Sequence, residues 1–136
     1  MRALINAKVK LREPFRPFAP SVLEERAAEF FDLGAPSPFM LLTASVRASA
    51  KGIIPAVVHV DGSARVQTVD SQSNPLYRQL IEAFDRLTGV PVLLNTSFNV
   101  HEPIVCTPDE AVDCFLRTKV EWLVMGNYLV SRAQDA

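Results

Sequence analysis

Cysteine is scarce. Cys106 and Cys114 are the two thiols in 136 residues, and a pair at that spacing makes neither a disulfide framework nor a zinc site. Histidine is as rare: His101 has Glu102 beside it, but a metal site needs three or four ligands and His59 lies far off in sequence. With five glycines the chain has no P-loop, no dinucleotide glycine fingerprint and no Gly-x-Ser-x-Gly elbow. The apolar run from Ile53 to Val60 falls far short of the roughly 20 residues that cross a bilayer. The opening Met-Arg-Ala-Leu-Ile-Asn-Ala-Lys holds no apolar core of secretory length. These absences predict a soluble chain in a reducing cytoplasm, with no membrane contact. An excess of one charge is missing too: 14 basic and 15 acidic residues give a net charge of −1, which argues against a general nucleic-acid binder.

What is present is ordinary for one globular domain: 49% hydrophobic and 21% charged residues, in a chain long enough to bury a core without disulfides or a structural metal. The charge is uneven along it. Residues 1–20 hold five basic side chains (Arg2, Lys8, Lys10, Arg12, Arg16) and one acid, Glu13, leaving nine basic and fourteen acidic residues for the rest. Local positive charge on a neutral domain suits a small anionic ligand better than a polyanion. The plainer reading is that Lys8 and Lys10 complement the C-terminus of a short helix.

Residues 2–7 read as the end of a helix, as though the chain starts inside an element. Residues 11–20 carry three prolines and read as a stiff, extended loop. Ser21 with Glu24 reads as a capping box for a helix over 22–31. Further on, the pattern predicts a buried strand over 39–44, a polar connection over 47–52, and an antiparallel hairpin of 54–60 with 63–69 about Asp61-Gly62 in a type I′ turn. Asn74 and Gly89 bound a helix whose apolar stripe is Leu76, Leu80, Ile81, Phe84 and Leu87. A strand buried on both faces is predicted over 90–94. A polar loop follows over 95–103, then a helix over 109–117 capped by Thr107. Strands over 121–125 and 128–130 surround a Gly126-Asn127 turn. The fold class is α/β, a mixed twisted sheet with helices packed on it.

Two segments concentrate polar chemistry. In Lys8-Val9-Lys10-Leu11-Arg12-Glu13-Pro14-Phe15-Arg16-Pro17-Phe18-Ala19-Pro20-Ser21, proline stiffness holds arginine forks matched to phosphate; a surface loop with solvated arginines is the plain alternative. In Val92-Leu93-Leu94-Asn95-Thr96-Ser97-Phe98-Asn99, a strand runs into amides and hydroxyls able to hold a phosphate or planar amide; a turn that satisfies only itself reads equally well. Arg65 and His59 are weaker candidates, each more often solvated or structural. Cys114 reads as a core residue, and Cys106 lacks a basic partner to activate it.

The run Lys10-Leu11-Arg12-Glu13-Pro14-Phe15-Arg16-Pro17-Phe18-Ala19-Pro20-Ser21 resembles the opening of the C-terminal domain of the O-carbamoyltransferases of nodulation and antibiotic biosynthesis. So do His59-Val60-Asp61-Gly62-Ser63-Ala64-Arg65-Val66-Gln67, Val92 to Asn99 and Glu102-Pro103-Ile104-Val105-Cys106-Thr107-Pro108, in that order and over nearly the whole chain. The resemblance implies a single domain over 1–136 with a YrdC-like fold, in a protein that activates carbamoyl phosphate with ATP to carbamoyl adenylate. A separate N-terminal half, actin-like and metal-binding, then passes the carbamoyl group to a hydroxyl of a small-molecule acceptor.

By motif position the resemblance implies that Lys10, Arg16 and Arg65 are the catalytic cations around the phosphates. Arg12, Asn95, Thr96, Ser97 and Asn99 join them in binding nucleotide and carbamoyl groups. ATP and carbamoyl phosphate are implied as substrates, Mg²⁺ would accompany ATP, and no metal is expected in this chain. The family's Gly-Pro-Arg-Ala-Leu-Gly-like segment and its metal-binding half are not in the sequence. The expectation is therefore an incomplete site that needs the N-terminal half, in cis or as a separate subunit, with apolar surface exposed near the start through which a homodimer can form. Two alternatives stay open: a non-catalytic nucleotide- or anion-binding or regulatory module of the same fold, and a relative handling another acyl group, such as an adenylate-forming step in RNA modification.

Overall fold

In the computed structural model, which describes residues 1–132, the chain parts into two compact units. One is Pro17–Thr96, and the other joins Met1–Arg16 to Ser97–Ala136.

The first unit is built on a strand that the sequence disguises. β1 (Ala19–Leu23) is buried at all five positions because it lies inside the sheet, with neighbours on both edges. The sheet contains β2 (Phe31–Asp32), β3 (Leu42–Val46), β4 (Ser63–Val69) and β5 (Val92–Asn95), in the order β2-β3-β4-β1-β5. β1 runs parallel to β4, and the other pairs are antiparallel, so the sheet is mixed as expected. Ser21 is therefore no helix cap: it sits fully buried at the strand's centre. The helix expected over 22–31 shrinks to a 3₁₀ turn, Glu24–Arg26, and one turn of helix, α2 (Ala27–Phe30). Burying Val22 and Leu23 between two strands outweighs the local capping signal. Pro20 is tolerated because parallel pairing with β4 begins one residue later, at Ser21.

The expected hairpin is corrected in the same way. Residues 54–60 form no strand, since Pro55 opens a 3₁₀ turn, Pro55–Val57, and β4 pairs with β3 instead. The Asp61-Gly62 turn exists, closed by His59 N–H to the Ser63 carbonyl at 2.8 Å. Only Gly62 has positive φ (83°), so it is not type I′. The strand expected over 39–44 begins later, at Leu42, after a turn in which Met40 takes φ 58° and leaves Phe39 and Leu41 exposed. β5 is an edge strand with Val92 buried and the next three residues half-buried, rather than one covered on both faces.

α3 (Pro75–Thr88) has the expected ends: the Asn74 side chain accepts from the Tyr77 N–H, and Gly89 closes the helix at φ 74°. Its packing face differs. Ile81 joins Leu23 and Val69 in a core flanked by Tyr77 and Leu93, whereas Leu76, Leu80, Phe84 and Leu87 are exposed.

In the second unit α1 (Arg2–Ile5) continues into a π-helical turn, Asn6–Lys10, which Leu11 ends in the left-handed region. α4 (Pro108–Arg117) opens on the expected Thr107 cap, in a reciprocal capping box with Glu110. β6 (Trp122–Met125) and β7 (Tyr128–Ser131) pair antiparallel about Gly126. Cys114 and Phe115 are buried.

Candidate functional site

The second unit gathers the basic segment and the 97–99 loop. The π-helical turn brings the Lys10 side chain inward, leaving it 3% exposed. Its ammonium meets four oxygens: the Ser97 carbonyl at 2.9 Å, Ser97 Oγ at 3.2 Å, the Asn99 carbonyl at 2.8 Å and Asn99 Oδ1 at 2.7 Å. Ser97 Oγ donates to Asn99 Oδ1 at 2.6 Å, and Asn99 Nδ2 donates to the Glu102 carbonyl at 2.7 Å. Three ammonium protons facing four acceptors leave none for a ligand. Lys10 thus fastens the loop and places a charge beneath it. Burial, then the Arg12 charge, push its amine below the ordinary lysine range.

Asn6, which carried no weight in the sequence, organises the proline-rich loop. Fully buried, it donates Nδ2 to the carbonyls of Arg16 at 2.9 Å and Pro14 at 3.2 Å, and its Oδ1 accepts from Arg12 Nε at 2.8 Å. The signal that could have revealed it is an asparagine in a helical run, where it is disfavoured unless its amide has work elsewhere. Arg16 is exposed and makes only a loose pair with Glu13 at 3.8 Å. Burial and the nearby Arg16 charge push the Arg12 guanidinium down. Lys10, Arg12 and Arg16 therefore repel one another, and an anion among them would relieve that repulsion.

The first unit holds the other candidates on one sheet face. Register places Arg65 and Gln67 of β4 on the same side as Ser21 of β1 and Asn95 of β5. Ser21 Oγ donates to Gln67 Oε1 at 2.7 Å, and Asn95 Nδ2 donates to Ser21 Oγ at 3.0 Å and to Gln67 Oε1 at 2.8 Å. Tyr77 of α3 borders the row: burial pushes its phenol up, and a hydrogen bond with Ser21 pulls the other way. Arg65 and Thr96 are exposed. His59 is half-buried beside Ser63 Oγ, 3.3 Å from its Nδ1, as a structural histidine would be. Ser21 and Gln67 belong to this row although sequence reasoning made Ser21 a helix cap and gave Gln67 no role of its own; the period-two alternation along β4 is the signal that puts Gln67 on the face of Arg65.

Elsewhere in the second unit, a cavity of about 300 Å³ is lined by Glu102, Ile104, Cys106, Glu110, Asp113 and Arg117, among others. Its carboxylates suit no anion. The Cys106 thiol lies 3.2 Å from the Glu110 carboxylate, which pushes it up, away from a nucleophile's range. Among the described residues no group of three or more His, Cys, Asp or Glu side chains is placed to hold a metal ion. No helix among them is long and apolar enough to cross a membrane.

The sequence carries these side chains in an order that is itself diagnostic. Residues 1–132 match the family described as carbamoyltransferase C-terminus. The chain belongs to that family. This carbamoyltransferase C-terminal region is 52% identical to nodulation protein NolNO of Sinorhizobium fredii, over 94% of this chain and 19% of the relative. To nodulation protein NolO of Bradyrhizobium diazoefficiens it is 48% identical, over 94% of this chain and 24% of the relative. An uncharacterized protein of Synechocystis, sll1178, is 46% identical over 97% of this chain and 25% of its own length. The chain thus spans a quarter or less of these relatives.

Proposed function

We propose that the chain is the C-terminal domain of an ATP-dependent O-carbamoyltransferase of the cytoplasm and contributes to the site that converts carbamoyl phosphate to carbamoyl adenylate. In overall balance, ATP, carbamoyl phosphate and one water yield carbamoyl adenylate, pyrophosphate and inorganic phosphate. Negative charge moves between phosphates, so fixed cations and preorganised dipoles lower the barrier with no covalent enzyme intermediate. The observation that carries this reading is the gathering of three cations in one unit, Lys10, Arg12 and the exposed Arg16, beside the loop that Lys10 fastens. Arg16 and Arg65 contact phosphate oxygens; Lys10 and Arg12 supply charge and hold the loops. Asn95, Thr96, Ser97 and Asn99 bind the nucleotide and carbamoyl groups, with Mg²⁺ accompanying ATP. An actin-like, metal-binding N-terminal half, in cis or as a separate subunit, takes the group to a small-molecule hydroxyl, so the chain alone does not turn over.

Calorimetry tests this. ATP and carbamoyl phosphate bind the chain, and Arg16→Ala or Arg65→Ala weakens the phosphate ligand by roughly 1.5–3 kcal/mol, as loss of a charged hydrogen bond should. Absence of binding by the unaltered chain overturns the proposal. Binding indifferent to both substitutions favours a regulatory anion-binding module, a reading to which the self-satisfied Lys10 ammonium lends some support. A carbamoylated acceptor formed by the chain with ATP and carbamoyl phosphate contradicts the need for the second half.

A further inference from the structure

α3 stands on the same face of the sheet as the polar row. Ser21 is level with Gln67 of β4 and Leu93 of β5, and Leu23 with Val69. Alternation therefore puts Leu23, Val69 and Leu93, which pack with Ile81 and Tyr77 of α3, on the side of Ser21, Gln67 and Asn95. The helix follows β4 after Val69 and returns to β5 at Val92, opposite Val22, so it lies across that end of the sheet. Arg65 and Asn95 lie toward the other end.

The two flanks of α3 differ. Arg78 pairs with Glu25 at 2.5 Å and Asp85 with Arg26 at 3.0 Å, both partners in the 3₁₀ turn that follows β1. These pairs pin the charged flank beyond the end of the strand. At 3.6 residues per turn, Leu76, Leu80, Phe84 and Leu87 share an arc of about 80° whose centre is about 150° from Arg78 and Asp85. The stripe therefore turns back over the half of the face that carries the row. Its side chains are 37–86% exposed. It runs about 17 Å along the helix at 1.5 Å per residue, too long a line for carbamoyl phosphate, and it offers the phosphates of ATP no charge.

The size of the stripe narrows what covers it. It exposes on the order of 300 Å² of apolar surface. Each partner in a stable free complex contributes about 800 Å², so a second copy would not be held by this face alone. A tethered partner needs less, because the tether supplies an effective concentration of about millimolar. In the relatives the matched region is 19–25% of one polypeptide, and the rest is tethered to it. Group transfer points the same way: an activated carbamoyl group is lost to water unless the acceptor site closes over the face on which it forms. We propose that the Leu76–Leu87 stripe of α3 is the docking face for the actin-like half of the transferase, which lays an uncharged, apolar face along it and so roofs the polar row. This rests on the carbamoyl reading above and gives its partner a seat.

The test puts the full chain into NolNO in exchange for the region it matches, and compares the double variant Leu80→Lys, Leu87→Lys with Leu80→Met, Leu87→Met. Lysine keeps the helix and removes the apolar line, whereas methionine keeps both. With α3 unaltered the two parts unfold in one transition. In the lysine variant they unfold in two, and carbamoyl transfer to the hydroxyl acceptor falls about tenfold or more, the weight of one leucine burial. ATP and carbamoyl phosphate bind that variant as before, and the methionine variant behaves as the parent. A single transition with undiminished transfer in the lysine variant overturns the inference, as do two transitions with α3 unaltered. The chain by itself sediments as a monomer up to about the millimolar concentration that a tether supplies. A dimer that the lysine substitutions abolish would make a second copy the occupant and overturn the inference as well. No binding of ATP or carbamoyl phosphate with α3 unaltered overturns the carbamoyl reading; the number of unfolding transitions still decides whether α3 is a docking face.

Discussion

The ammonium of Lys10 reaches Asn99 twice, 2.8 Å from its main-chain oxygen and 2.7 Å from Oδ1, across 89 positions of sequence. With the two contacts to Ser97 it closes a polar knot between the helical start and the loop that enters the second half of the same unit. Replacing it by methionine keeps the length and removes every donor, leaving the oxygens of the exposed Ser97 and half-buried Asn99 without this partner and the buried Lys10 position without its charge. We expect Lys10→Met to cost about 2–4 kcal/mol in denaturant unfolding, with the Ser97 and Asn99 amides exchanging faster. Stability within about 0.5 kcal/mol of the unaltered chain, the usual range of a surface change, would show that the knot does not form.

Asn6 is the second tie in that unit. Without it, the Pro14 and Arg16 carbonyls and the Arg12 Nε lose their partner, though water can reach several of these exposed groups. Asn6→Ala is therefore expected to cost less, about 1–2 kcal/mol, and to free residues 12–16. Limited trypsin digestion should cut the variant after Arg12 faster than the parent; equal rates would count against the tie.

The parts legible in the sequence were those fixed by neighbours in the chain. Asn74 and Gly89 bound α3, Thr107 with Glu110 opens α4, and Gly126 turns the last hairpin, each by chemistry within three or four residues. What failed depended on partners far away. Ser21-Val22-Leu23-Glu24 satisfies a local capping rule, yet it supplies the sheet's buried strand because β4 and β5 pack on either side. The site shows the same division. Arg65 and Asn95 carried side chains suited to a ligand, while the partners that hold Asn95, and the Asn6 that holds the arginine loop, are visible only when the distant strands and loops are assembled.

Acid should loosen the loop around Glu102. Its carboxylate takes its own main-chain N–H and the Arg117 guanidinium, at 3.0 Å, and these hold its pKa down at about 2. The unfolded chain's glutamate titrates near about 4.3. A carboxyl lowered on folding stabilises the native state above the unfolded pKa, and that contribution disappears as the pH falls toward 2. Stability should decline from pH 5 to pH 2.5, and Glu102→Gln should flatten part of the decline. An unchanged pH profile in that variant would place the acid sensitivity elsewhere.

The two apolar lines of α3 separate the sequence expectation from the fold. Leu80 and Ile81 are adjacent, and a stripe containing both predicts similar penalties for disrupting either. Their exposures differ: Leu80 is 56% exposed, whereas Ile81 is fully buried against Leu23 and Val69. Leu80→Lys should stay within about 0.5 kcal/mol of the parent, because it removes little buried area and lysine is a good helix former. Ile81→Ala should cost about 2–5 kcal/mol through lost transfer energy and the cavity left behind. Comparable losses in thermal or denaturant unfolding would mean that the exposed line of α3 is covered in solution, and the larger remainder of the relatives' chains would then be the first occupant to test.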